Sequence, residues 1–161
     1  MQYRIVMVAL ACAALADGQS QSAPSPSPTV ALVGDWRLNL ARTHYDVGVD
    51  RRRRETFSCV GEAARVRCTI RSVRSNGEEL VGRFSATVDG TVAAVAGVPE
   101  MDGVSLRRVN DSIVDATFSF KGTPTFAYRA FRSDGGRSLT IVSVDPVSRA
   151  ALNSVVVYDR K

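Results

Sequence analysis

The 161-residue chain has one histidine, one tryptophan and three cysteines, and its 21 basic residues include only two lysines, Lys121 and Lys161. A lone His44, placed in the loop after the first strand and accompanied by no nucleophile motif, gives no support to Ser–His or Cys–His catalysis. HExxH, CxxC, phosphate-cradling glycine loops and EF-hand patterns are all missing, so the sequence points to no metal, nucleotide or redox cofactor. Cys59 and Cys68 have neither zinc nor redox spacing. The expectation is a protein that is not an enzyme. Glu78, Glu79, Asp102 and Asp115 fall near turns or on outward faces, and they read as solubility unless folding brings two of them together.

Long apolar runs are also missing. The longest, Ile5–Leu15, is about half of the ~20 residues a membrane span needs. Preceded by Arg4 and ended by Ala14-Leu15-Ala16, it has the layout of an export signal over residues 1–16. Export to a periplasmic or extracellular compartment is the expectation. A minor alternative is a lipoprotein acylated at Cys12, after the loose lipobox Ala9-Leu10-Ala11. Residues 17–31, with the run Ala23-Pro24-Ser25-Pro26-Ser27-Pro28, read as a disordered Pro/Ser-rich tether. Residues 32–161 are then one domain, expected to be monomeric.

Loss of Arg4 with the signal leaves 20 basic and 16 acidic residues, a net charge of +4. That balance is too mild to identify a partner. The arginines do cluster, however. Arg51, Arg52, Arg53 and Arg54 precede the second strand, and Arg65, Arg67 and Arg71 lie on the outer face of its partner. They form a candidate stripe for an anionic envelope surface, or simply a solvated exterior. Without aromatic residues interleaved for base stacking, nucleic acid is disfavoured.

Turn signals recur at spacings of mostly 8–13 residues: Asn76-Gly77, Asp89-Gly90, Asn110-Asp111, Lys121-Gly122, Asp134-Gly135-Gly136 and Asp145-Pro146. Between them lie β-branched and aromatic runs with no helical period. Strands are expected at 33–40, 53–60, 65–73, 79–87, 91–95, 103–109, 113–120, 125–132, 138–144 and 151–158. Together they give an all-β fold, an antiparallel up-and-down barrel of about 8–10 strands. Alternation is clearest where Val66, Cys68 and Ile70 share one face and arginines the other. The same parity turns Trp36, Leu38 and Leu40 inwards, with Leu80, Phe84 and Ala86, then Val114, Ala116, Phe118 and Phe120, then Phe126, Tyr128 and Ala130.

If Cys59 faces Cys68 across the first hairpin, Phe57 faces Ile70 and Gly61 faces Val66. That register is self-consistent and makes a cross-strand disulfide plausible in an oxidising compartment; the alternative is two buried thiols acting as small hydrophobes.

Gly34-Asp35-Trp36 opens the first strand. With Gly97-Val98-Pro99, Val104–Val109, Ser138–Val142 and Asn153–Tyr158, it resembles the lipocalin-like (calycin-type) domain of small secreted bacterial proteins. The resemblance covers nearly all of residues 33–158. It implies a barrel whose lumen accepts a small apolar molecule, with the tryptophan packed across a closed end and a glycine allowing close approach. Related fatty-acid-binding barrels carry Arg-x-Tyr on the last strand. This chain has Val156-Val157-Tyr158, so the cation is missing and a fatty acid is not supported as the specific ligand. The candidate ligand contacts are Trp36, Phe84, Phe118, Phe120, Tyr128 and Tyr158. Trp36 is also the natural core plug, and the other aromatics line a cavity or fill a small barrel. Gly82, Ala86, Ala116 and Ala130 among them leave room, which tilts the reading towards a pocket.

Overall fold

The computed structural model describes residues 30–47, 51–62 and 64–161. The expected export signal, Cys12 and nearly all of the expected tether lie outside the described residues. Ten strands follow one another along the chain: β1 Gly34–Leu38, β2 Arg52–Glu62, β3 Arg65–Arg74, β4 Glu79–Thr87, β5 Asp89–Ala96, β6 Gly103–Asn110, β7 Ile113–Phe120, β8 Thr123–Arg132, β9 Ser138–Val144 and β10 Ala151–Arg160. Every strand pairs antiparallel with its neighbour in sequence, and β1 pairs with both β2 and β10. The result is a closed up-and-down barrel, which leaves no unpaired sheet edge among the described residues.

Sequence alternation builds this wall directly. Along β3 the buried Val66 and Cys68 alternate with exposed Arg65, Arg67 and Arg71. On β7 the inward Val114, Ala116 and Phe118 alternate with Asp115 and Thr117 on the outer side. The first hairpin has the expected register, with Cys59 opposite Cys68, Phe57 opposite Ile70 and Gly61 opposite Val66. Cys59 and Cys68 lie at disulfide-bonding distance with Cα atoms 4.2 Å apart, the close spacing of a non-hydrogen-bonded antiparallel pair.

One end of the barrel is plugged. Val30, Ala31 and Leu32 are fully buried there beside Trp36, whose indole N–H donates to the Leu32 carbonyl at 2.9 Å. Val30 and Ala31, the last residues of the segment expected to be a tether, therefore belong to the core. A Cβ on Gly34 would stand 3.0 Å from the Trp36 ring, so a side chain there would displace the indole. The Arg160 guanidinium covers the ring at 5.7 Å from its centroid, within range for a cation–π contact. Around this plug the packing is dense: Val66, Cys68, Ala86, Leu106, Val114, Ala130 and Leu139 are all inaccessible to solvent.

Two side chains expected inside lie elsewhere. Leu40 belongs to a short 3-10 turn, Leu40–Arg42, and is half exposed, because β1 ends at Leu38 and strand parity ends with it. Phe120 has the inward parity of β7 but is its last residue, 37% exposed, with the Lys121 ammonium 5.2 Å above its ring.

Candidate functional site

At the other end the core does not close. A cavity of about 80 Å³ occupies the half of the barrel away from Trp36. Its apolar wall is formed by Phe57, Ile70, Phe118, Phe126, Ile141 and Val156, and Met101 joins it from the loop between β5 and β6. Phe118 is the centre of the aromatic packing, with its ring centroid 6.0–6.1 Å from those of Phe84, Phe126 and Tyr128. Edge and tilted contacts of this kind fix ring positions beyond what area burial alone achieves.

Five polar side chains interrupt the apolar wall: Arg52, Glu55, Tyr128, Ser143 and Tyr158. Glu55 is only 3% exposed. Arg52 Nε lies 3.0 Å from its Oε2, and the Tyr158 hydroxyl donates to its Oε1. A buried carboxylate is tolerable when paired and hydrogen-bonded in this way. Burial nonetheless pushes the Glu55 pKa above 4.5, outweighing the opposing effects of the Arg52 charge and the Tyr158 hydrogen bond. Tyr128 and Tyr158 are both pushed upwards, first by burial and then by the Glu55 charge. Both phenols are neutral donors across the physiological range.

Tyr128 and Ser143 sit directly opposite one another on β8 and β9. They are 4% and 7% exposed, and among the described residues neither hydroxyl has a hydrogen-bond partner. Both oxygens open onto the cavity, where solvent reaches them, and neither is sealed inside the wall.

Of the six aromatic residues singled out in the sequence, Phe118, Tyr128 and Tyr158 line this cavity. Phe84 supports Phe118 from behind, Trp36 plugs the opposite end, and Phe120 stands outside in a surface hollow with Pro99 and Met101.

The sequence expectations placed Arg52 on the exterior and did not include Glu55. Arg52 reads as part of an outer basic stripe, but the structure turns it to the cavity. The cause is a shift in the β2–β3 register between Arg52 and Arg54, which leaves Arg53 and Arg54 both exposed and returns Arg52 to the side of Glu55. An extra residue of this kind reverses alternation on one side of it. Glu55 itself was detectable, because it shares the inward parity of Phe57 and Cys59.

The remaining arginines of the stripe are on the exterior. Arg54 pairs with Glu79 at 3.7 Å, Arg67 with Glu62 at 2.5 Å, and Arg65 donates to the Ser85 carbonyl at 2.7 Å. Arg51, Arg53 and Arg71 are exposed and make no ion pair among the described residues. Asp115, on the outer face of β7, is gripped by both Nε and Nη2 of Arg129 at 2.7 and 2.8 Å, and that contact lowers its pKa. His44 is exposed and bridges to Val155 through backbone bonds alone.

Among the described residues, no cluster of three or more His, Cys, Asp or Glu could hold a metal, and no helix is long and apolar enough to cross a membrane. Comparison of the sequence with known protein families and with curated proteins finds no match in either.

Proposed function

We propose that this is an exported, lipocalin-like binding protein that holds a small, largely apolar molecule in the open half of its barrel without transforming it. The observation that carries this reading is the cavity itself: an aromatic and aliphatic wall with a few convergent polar groups, the usual composition of a small-molecule site. Its small volume favours a ligand of modest size, or one with only part of its length inside. Holding rather than converting is supported by Glu55, whose two oxygens are engaged by Arg52 and Tyr158 and so are not free to carry a proton to a substrate. Export is supported by the Cys59–Cys68 pair, since disulfides persist in oxidising compartments.

Native mass spectrometry of protein purified from its own host, followed by titration with the uncharged dye N-phenyl-1-naphthylamine, tests the reading. The expected result is a co-purified adduct or saturable dye binding that varies less than about twofold between low and high salt. Phe118→Asp should abolish dye binding in a protein that still folds. Folded wild-type protein with neither adduct nor dye binding overturns the reading. Salt-sensitive binding to anionic lipid vesicles would then favour the exterior arginines Arg51, Arg53 and Arg71 as the working surface.

A further inference from the structure

We infer that the polar end of the cavity selects an uncharged ligand head group, a carbonyl or hydroxyl oxygen received by Tyr128 and Ser143, and rejects carboxylates and amines. This deepens the proposed function and rests on it.

Charge is the first discriminator. Among the described residues the one cation on the cavity wall, Arg52, is already matched by Glu55 at 3.0 Å, and Tyr158 completes the carboxylate's shell. A ligand carboxylate could reach Arg52 only by displacing Glu55. Two carboxylates would then share one arginine in a site where Glu55 is 3% exposed, an arrangement penalised by both repulsion and desolvation. An alkylammonium faces the converse problem, because Arg52 already occupies the carboxylate. Charged head groups of either sign therefore have to break an existing pair.

An uncharged oxygen breaks nothing. Tyr128 and Ser143 face each other across β8 and β9, both more than nine-tenths buried, and neither hydroxyl has a partner among the described residues. Each can donate one hydrogen bond and accept others. A ketone, ester or amide carbonyl between them would accept from both, and an alcohol would accept from one and donate to the other. The body of the molecule would lie against Phe118, Phe126 and Ile141 on the same wall. A site that hydrogen-bonds a ligand oxygen discriminates strongly against analogues lacking it, because its own buried groups then stay unsatisfied.

Calorimetric titration of the whole folded protein with octan-2-one, 1-octanol, octanoate and octylamine at matched ionic strength tests this. The ketone and alcohol should bind at least tenfold tighter than either charged member. Tyr128→Phe and Ser143→Ala, each of which removes only a hydroxyl from the wall, should each weaken the ketone about fivefold, the usual scale for one hydrogen bond. If octanoate or octylamine binds as tightly as the ketone, the head-group inference fails while the pocket stands. Ketone binding that is tight but indifferent to both substitutions overturns the assignment to Tyr128 and Ser143. If no member of the series binds, the proposed function falls, and this inference with it.

Discussion

Tyr158, on the last strand, donates its hydroxyl hydrogen to Glu55, on the second, across the end of β1. The two strands are not neighbours in the sheet, because Leu38, the final residue of β1, pairs with Tyr158 and separates them. The bond thus ties the barrel wall together from within at the point where its shortest strand ends. The carboxylate it uses is costly to keep charged.

That cost has a direction in pH. Burial raises the Glu55 pKa above 4.5, so the folded state binds this proton more readily than the unfolded chain does. Glu55 therefore weakens the fold at neutral pH, and the penalty is relieved as pH falls through the folded pKa towards the ordinary carboxylate range. Relative to Glu55→Gln, which has no such titration, the wild type should gain stability between about pH 7 and about pH 5. Urea denaturation of both proteins at the two pH values reads this out; parallel changes in the two would exclude it.

Arg52 should matter more than a surface arginine. Arg52→Leu leaves the Glu55 carboxylate buried beside Tyr158 with its ion pair gone. Because the Arg52 side chain is one-third exposed, the expected loss is roughly 2 kcal/mol, below the about 3–5 kcal/mol of a fully buried pair. Adding Glu55→Gln should recover most of it. The outer Arg54→Ala, which breaks a 3.7 Å pair between exposed groups, should cost less than about 1 kcal/mol. Equal losses at the two arginines would contradict the inward placement of Arg52.

The disulfide closes a short loop. Replacing Cys59 and Cys68 together by alanine should lower stability by roughly 2–3 kcal/mol on the chain-entropy account. Free-thiol titration of the oxidised, unfolded protein should find neither cysteine reactive. Two reactive thiols would instead leave these residues as buried hydrophobes.

Gly97 is held by its backbone surroundings. It has φ +81°, and a Cβ there would lie 2.0 Å from the Val81 carbonyl oxygen. Gly97→Ala must push β5 away from β4, where the two strands share only two register pairs, Arg83 with Ala96 and Phe84 with Val95. The expected cost is about 2–3 kcal/mol, from strain together with a displaced ladder. Gly77→Ala, at φ +91° with nothing within 4 Å of the new Cβ, should cost only about 1 kcal/mol. Thermal denaturation of the pair separates close approach from conformational strain alone.

Most of the fold was legible because period-2 alternation and turn residues act locally. Val66, Cys68 and Ile70 carried the register of the first hairpin, and the turns at Asn76-Gly77 and Asp89-Gly90 bounded β4. The site was only partly legible. Phe118, Tyr128 and Tyr158 follow simple parity, whereas Arg52 is reversed by the irregular register between Arg52 and Arg54, which alternation cannot register. Nor could parity separate Phe120 from Phe118, since what distinguishes them is where the barrel wall ends. The Tyr128–Ser143 juxtaposition needed the β8–β9 register, which no local signal encodes.

The plug around Trp36 also sets the polarity of the whole molecule. Leu32 is anchored to the indole, and the backbone N–H of Lys161 donates to the Asp35 carbonyl at 3.0 Å, so both ends of the described domain emerge beside the sealed base. Arg52, Ile70, Met101 and Phe126, in the half away from that base, are the partly exposed members of the cavity wall. A handle at either end, whether an affinity tag or a surface to which the chain is tied, therefore leaves the cavity pointing away from the attachment.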